Sequence, residues 1–359
     1  MLALREPFSV LFMLLVLLSA MWSIHPDLTV RRGAGYVLTM LIVGYLSVRF
    51  DVDDRMRVLS AGFAIAALGS LLFVGAFPQY GIMGGADLAG DWRGVFPHKN
   101  VLGPVMSVAV FTELYLLVRG KGRPLSRLGL LCAYYALVLL SHSSTALLLA
   151  TIYLIGACVF VLWARERLAG VLASITVVFL VTAVLTLLWD GPEHLLGLIG
   201  KDVTLTGRTT IWGVVFEFIR ERPVLGWGYR AMWEPGDATT ALADKLTGGW
   251  SVPSSHNAFL EVTLQLGLLG IGLMAAIIGI ALWRGLRCCG ANILPLGWFS
   301  LMFFLGTLLG AQTLDTLGRN QVIDWVAFNV LSISCGGALQ ASWKLRRARA
   351  RNAALPLTG

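Results

Sequence analysis

Charge is scarce in this sequence. Of 359 residues, 13% are Asp, Glu, Lys or Arg, against about 25% in an average soluble domain. A chain so poor in charge cannot cover the two or three soluble cores that its length would otherwise make, which excludes an ordinary soluble protein. Cysteine is also sparse, with five residues and no CxxC pair, so neither a disulfide framework nor a thiolate zinc site is suggested. No GxSxG stretch occurs, so the strand–turn–helix setting of a serine nucleophile is missing. His25, His98, His142, His194 and His256 lie too far apart for a zinc signature. The formal net charge of +8 calls for no nucleic acid, because basic segments facing anionic lipid account for it.

What the chain has instead is hydrocarbon. Hydrophobic residues make up 57% of it, gathered into ten runs near the length needed to cross a bilayer. They are 7–24, 34–50, 57–77, 101–118, 125–142, 144–163, 169–189, 257–283, 293–311 and 325–343. The first run follows Arg5 without a convincing cleavage site and is read as a helix, not a signal peptide. The pattern predicts an all-α polytopic membrane protein with about ten transmembrane helices. Lys and Arg sort by side: 17 fall in the even-numbered connections and 11 in the odd-numbered ones, six of these in one long loop. The positive-inside rule therefore places both termini in the cytoplasm. The expected organisation is helices one to seven over 1–189, a long outer loop over 190–256, helices eight to ten over 257–343, and a basic inner tail over 344–359. Within the spans, Glu113 is expected to pair with an inner-loop arginine.

The polar residues of interest gather on the opposite, outer side. All five histidines fall in or beside outer connections, and so does the long loop, which is too rich in tryptophan and phenylalanine to read as disorder. It is expected to fold onto the membrane face as a partly helical cap. Within it, "GRTTIWGVVFEFIRERPVLGWGY" (207–229) reads as a helix with Thr209 or Thr210 as N-cap and Pro223 closing it. Arg208, Trp212, Val215, Ile219 and Arg222 share one face of that helix. Two readings fit: arginines anchoring a surface helix at the headgroups, or an anion site beside a helix N-terminus. In "SSHNAFLEVTLQLGLLGIGL" (254–273), His256 and Asn257 stand at the outer mouth of the eighth span with Glu261 about a turn deeper. A carboxyl group there is a functional candidate, whereas a lone histidine can equally be an interfacial residue bonded to a loop carbonyl. Gly267, Gly270 and Gly272 read as close helix packing.

Taken in order, "MWSIHPDLTVRR" (21–32), "GDWRGVFPHKNVLG" (90–103), "SHSSTALLL" (141–149), "GRTTIW" with "ERPVLGWGY" (207–229), and "HNAFLEVTLQLG" (256–267) resemble the O-antigen ligase and Wzy-type polysaccharide polymerase superfamily, above all its ExoQ-like exopolysaccharide-production branch. The resemblance implies a metal-independent glycosyltransferase of GT-C type in the bacterial inner membrane, with no cofactor. Its substrate would be a glycan carried on undecaprenyl diphosphate, used at the periplasmic face. It implies Arg208 and His256 as catalytic residues. Lys99 of the "HKN" segment, with His98 and Asn100 beside it, would line the same cavity, as would Arg222. Arg93, Arg230, Trp212, Asn257 and Glu261 complete the candidate substrate-binding set. The family pattern often has arginine where this chain has His142.

The chemistry implied suits these residue types. A departing diphosphate needs fixed cations, and arginine offers a permanently charged fork for phosphate. A sugar hydroxyl needs a base as it attacks, and histidine can supply one. Arg93 and Lys99 would neutralise the diphosphate where the lipid meets the protein. Membrane lipid and, further out, chain-length or export proteins are the other expected partners. An O-antigen ligase that moves the glycan to lipid A core or to a protein would use the same motifs. A lipid-linked oligosaccharide transporter would instead place polar groups at mid-membrane in two related halves, a pattern the sequence does not have.

Overall fold

Proline and short polar caps set where the helices begin. The computed structural model describes residues 6–85, 88–177, 208–234, 254–291, 293–315, 317–319 and 322–353. In chain order the helices are α1 (Pro7–Leu18), α2 (Pro26–Arg49), α3 (Val52–Ala76), the single turn α4 (Pro78–Gly81), α5 (Lys99–Val118), α6 (Pro124–Leu140), α7 (Ser144–Arg165), α8 (Arg167–Val177), α9 (Arg208–Glu221), α10 (Ala258–Gly290), α11 (Leu294–Gly310) and α12 (Ile323–Ala353). Proline stands in the first turn of α1, α2, α6 and α11, where its fixed φ suits a helix and its missing N–H costs nothing. Asp51 caps α3 by accepting from the Asp54 N–H at 2.8 Å. Among the described residues no strand forms, and one isolated bridge joins Ile82 to Trp92.

Each of the ten apolar runs falls on a helix, the seventh only as far as Val177, beyond which it lies outside the described residues. Among the described residues, α3, α5, α7 and α10 are long and apolar enough to cross a membrane by length and composition, and shorter apolar helices accompany them. The fold is that of an all-helical polytopic membrane protein. Two boundaries differ most from those read in the sequence. Helix α2 starts at Pro26, ahead of its apolar run, and α12 continues to Ala353 through the stretch read as a separate tail. Hydropathy does not register polar helical turns, and lysine and arginine are good helix formers that favour a helix C-terminus.

Helix α5 is the most enclosed, with nearly every residue from Leu102 to Leu116 buried. Phe111 packs on Phe303 and Tyr153 with ring centroids 4.7 and 5.3 Å apart, and Tyr115 meets Phe299 edge-on at 5.5 Å. The polar groups within this packing are paired, as hydrocarbon demands. Glu113, fully buried, takes a hydrogen bond from Ser60 and an ion pair from Arg127 at 3.0 Å, as expected from the sequence. At the same end, Asp53 accepts from Tyr115 at 2.9 Å and pairs with Arg119 and Lys121. These contacts tie α3, α5 and α6 together at one end of the bundle. The functional candidates occupy the other.

Candidate active site at the loop-rich end

Helix α9 lies across the loop-rich end with Ile211, Val214, Val215 and Phe218 buried beside Leu264 of α10. The apolar spacing of this helix selects that face. Its first described residue is Arg208, so Thr209 and Thr210 lie inside the helix and neither is its N-cap. Residue 207 and the Arg208 side chain lie outside the described part, as do 178–207 and 235–253 of the long loop. Trp212 donates its indole N–H to the Ser255 carbonyl at 3.0 Å, which ties α9 to the turn before α10.

Past Pro223 the chain enters a break in α10. At Gly267 the backbone leaves helical geometry (φ 62°, ψ −158°). An unbroken helix would join the N–H groups of 268 and 269 to the carbonyls of 264 and 265. Here Leu268 and Leu269 donate instead to the carbonyls of Pro223 and Val224, at 2.8 and 3.3 Å. The Leu264 and Gln265 carbonyls accept from the Trp227 and Gly228 N–H groups, at 3.0 and 2.9 Å. The loop thus replaces the bonds the helix gives up, as broken backbone at membrane depth requires. The expectation that Gly267 serves close helix packing is corrected. A Cβ there would meet the Val224 carbonyl oxygen at 2.2 Å, so glycine is required by the inserted loop.

The outer piece of α10 carries the His256 turn. Asn257 caps it, accepting from the Phe259 and Leu260 N–H groups at 3.0 and 3.1 Å. Glu261 is 2% exposed. Its carboxylate accepts from the Ser255 N–H at 2.9 Å, the Trp233 indole at 3.0 Å and the Gln265 amide at 2.7 Å. The structure therefore makes Asn257 a helix cap and Glu261 a brace that joins the loop at 233, the turn at 255 and the helix at 265. Half-buried His256 stands at the apex of that turn with φ 51°, a strained conformation worth roughly 1–3 kcal/mol that surrounding contacts must hold.

Arg230, also in the left-handed region with φ 52°, reaches across to the connection between α11 and α12. It pairs with Asp315 at 3.0 Å, and Arg319 meets the same carboxylate oxygen at 3.3 Å. Burial pulls the Arg230 pKa down, but Asp315, with Tyr229 and Glu261 behind it, outweighs burial and holds the guanidinium above its ordinary range. For Arg319, burial and then the Arg230 charge press the pKa below its ordinary value. From α2, Arg32 donates to the Arg230 carbonyl and pairs with Glu234 at 2.5 Å. The same α11–α12 connection holds the His256 turn, because the Ala258 N–H donates to the Ala311 carbonyl at 2.8 Å. His256, Arg230 and Arg319 are thus carried on elements that meet at residues 311–319.

The "HKN" segment is organised differently from the sequence expectation. Lys99 is paired with Asp91, which also takes the His142 ring Nδ1 at 2.7 Å. Burial pushes the Asp91 carboxyl up, but the hydrogen bonds from Lys99 and His142 outweigh it and hold it below the usual range. Arg93 donates to the carbonyls of Tyr80 and Pro97, at 2.7 and 3.4 Å. His98 accepts from the Asn100 N–H at 3.1 Å and so caps α5. Burial, and then the neighbouring Lys99, keep its pKa below the ordinary histidine value. Asp91→Asn is expected to free Lys99 and His142 together, destabilising the segment by about 2 kcal/mol, below the ~3–5 kcal/mol of a fully buried pair because His142 is largely exposed. Faster amide exchange over 91–100 would register it. Unchanged exchange would mean that the pairing does not hold the segment.

Asn100 lies instead in the wall of a cavity of about 580 Å³ bounded by α3, α5 and the start of α12. Asp315 and Arg319 also line it, so Asn100 and the Asp315–Arg319 pair share one space. Arg222 lies outside this gathering. It stacks on Trp227 with its guanidinium carbon 4.1 Å from the ring centre and donates to the Trp22 carbonyl at 3.3 Å. Sequence reasoning missed Asp91, Asp315 and Arg319. A lone arginine four residues from an aspartate in the short α11–α12 connection is the signal that could have found the last two. Among the described residues no three His, Cys, Asp or Glu side chains converge as metal ligands.

Residues 128–275, from α6 to beyond the break in α10, match the O-antigen ligase family, Wzy_C. The matched stretch carries Arg208, Arg222, Arg230, His256 and Glu261, and the resemblance read from the motifs stands. Among individual proteins, the chain is similar to the exopolysaccharide production protein ExoQ of Rhizobium meliloti (strain 1021). The two are 31% identical over 292 residues, covering 77% of this chain and 64% of that protein.

Proposed function

We propose that the protein is a membrane glycosyltransferase that lengthens an exopolysaccharide by joining glycan repeat units carried on undecaprenyl diphosphate at the periplasmic face. The observation that carries this reading is the meeting of the His256 turn, Arg230 and Arg319 at the α11–α12 connection, beside a cavity with apolar walls. In the reaction, an acceptor hydroxyl oxygen bonds to the anomeric carbon as the bond from that carbon to the diphosphate oxygen breaks. The electron pair leaves with the diphosphate, whose charge the arginines stabilise, and the hydroxyl proton passes to His256. In this reading the cations are the protein's own and no metal takes part. Chain-length or export proteins would receive the product.

The match to the O-antigen ligase family favours a second reading, in which the finished glycan passes to lipid A core or to a protein. Purified protein in liposomes, supplied with the lipid-linked repeat unit, separates the two. The expected result is a ladder of longer glycans still on the lipid carrier, undiminished by chelator. Transfer only when a lipid A core or protein acceptor is added would establish the ligase. Loss of activity on chelation would overturn the metal-independent scheme, and translocation without any new bond would overturn the enzyme.

A further inference from the structure

His142 has a held and exposed ring, yet the reaction described above gives it no task. Its Nδ1 lies 2.7 Å from an Asp91 carboxylate oxygen, and its side chain is 63% exposed. A carboxylate can only accept, so Nδ1 carries the proton and donates. The bond at one ring nitrogen fixes the role of the other, and in the uncharged ring Nε2 is left as an acceptor. Among the described residues nothing donates to it. The ring is steadied from several sides. His142 stands at φ 47° between α6 and α7, a left-handed conformation that few residues other than glycine adopt. The Trp92 N–H donates to the Leu140 carbonyl at 3.0 Å, which ties the segment carrying Asp91 to that turn. Helix α5 comes so close that a Cβ at Gly103 would meet the Ser141 hydroxyl oxygen at 2.7 Å and the Ser143 Cβ at 2.8 Å. Lys99 fixes Asp91 in turn, and both side chains are largely enclosed. An imidazole aimed in this way loses little freedom when a ligand meets it.

The surroundings select the chemistry of that ligand. Lys99 and Asp91 cancel, and Arg93 is turned to the carbonyls of Tyr80 and Pro97. An uncharged ring that offers only an acceptor nitrogen has nothing to give a phosphate oxygen, whereas a hydroxyl donates to it. The turn is also joined to the candidate active site. Thr145, in the first turn of α7, bonds Thr313 hydroxyl to hydroxyl at 2.9 Å. Asn257, next to His256, donates to Gln312 at 3.5 Å, and Ala258 donates to Ala311. Residues 311–313 therefore hold the His256 turn and the start of α7 together, and His142 lies one turn before that contact.

We propose that His142 binds a sugar hydroxyl of the acceptor glycan through Nε2, with Asp91 as its positioning residue. The inference rests on the glycosyltransferase reading for its choice of ligand. It adds to that reading a binding point for the acceptor, apart from the arginines that meet the diphosphate. An anion is the competing ligand that the test must separate.

The repeat-unit oligosaccharide, freed of lipid and phosphate by mild acid, keeps its hydroxyls but can no longer act as donor, so it serves as the probe. Its binding to full-length protein in phosphatidylcholine nanodiscs is titrated by saturation-transfer NMR. His142→Asn tolerates the left-handed turn and can still donate to Asp91, but it ends short of the Nε2 position. It is expected to weaken binding about fivefold, the loss of one uncharged hydrogen bond, with thermal unfolding unchanged. His142→Gln reaches further and is expected to recover part of the affinity. In the transfer reaction His142→Asn is expected to act on KM and not on kcat, the mark of lost binding. Asp91 is tested through the ring it aims. Isotope-labelled histidine is expected to show the Nδ1–H tautomer at position 142, identified by its loss in His142→Asn, and a mixture of tautomers in Asp91→Asn. A purely structural aspartate would not cause that change. Absence of binding by the unaltered protein, equal binding in His142→Asn, or complete competition by inorganic pyrophosphate would overturn the proposal. Should His142→Asn unfold early, His142→Gln and the ring spectrum carry the test. A protein that binds the oligosaccharide through His142 yet lengthens no glycan refutes the enzyme and keeps the site. One that lengthens glycans with a KM indifferent to His142→Asn does the reverse.

Discussion

Gly267→Ala is expected to cost the protein most of its folded, membrane-inserted population. The residue sits at φ 62° and ψ −158°, close to a region that only glycine occupies readily and that costs other residues roughly 1–3 kcal/mol. The added methyl group would also lie 2.2 Å from the Val224 carbonyl oxygen, a backbone atom that cannot swing aside. Relief requires the loop to withdraw, which unmakes the four backbone hydrogen bonds joining 223–228 to α10. At roughly 1 kcal/mol net each that is a further ~4 kcal/mol, and more where the freed groups find no water. Against a total stability of about 5–15 kcal/mol, the variant is expected to aggregate or be degraded. Gly272→Ala is the control, because a Cβ there meets nothing within 4 Å and its φ is ordinary. Monodisperse elution in detergent and thermal unfolding compare the two. A Gly267→Ala protein that behaves like Gly272→Ala would show that the break does not need glycine.

The second large effect is expected on the rate and not on the fold. His256 occupies a left-handed position, so alanine would confuse a backbone effect with loss of the imidazole. Asparagine tolerates that conformation well, which makes His256→Asn the informative variant. If His256 takes the acceptor proton, transfer slows by on the order of 10²–10⁴ while elution and thermal stability stay as in the unaltered protein. Arg208→Ala is expected to cost on the order of 10²–10³ if that residue stabilises the departing diphosphate, with Arg208→Lys recovering only part because it lacks the planar fork. Single-turnover transfer from a lipid-linked repeat unit measures both. Full rates in the two variants would place the chemistry elsewhere in the cluster.

The helices were readable in the sequence because lipid makes a simple demand, a long apolar run, and among the described residues each run falls on a helix. The anchors of the site were partly readable. His256 and Arg230 lie at the loop-rich end as expected, since chain order and side follow from counting spans. The partners were not readable, because each contact joins residues distant in sequence or lacking any period. Lys99 looked like a free cation until Asp91 was seen beside it, and Glu261 looked like a substrate group until its oxygens were found occupied by Trp233, Ser255 and Gln265. Gly267 was misread for the same reason. A glycine in an apolar helix suggests a close neighbour, and nothing local shows that the neighbour is a strand of loop entering the helix itself.

That interruption makes two stretches, "RPVLGWG" and "LQLGLL", a single mechanical part although 35 residues of chain separate them. Each completes the other's backbone, so neither can be exchanged alone. A graft that brings a foreign recognition loop into this scaffold has to bring the matching stretch of the eighth apolar segment with it.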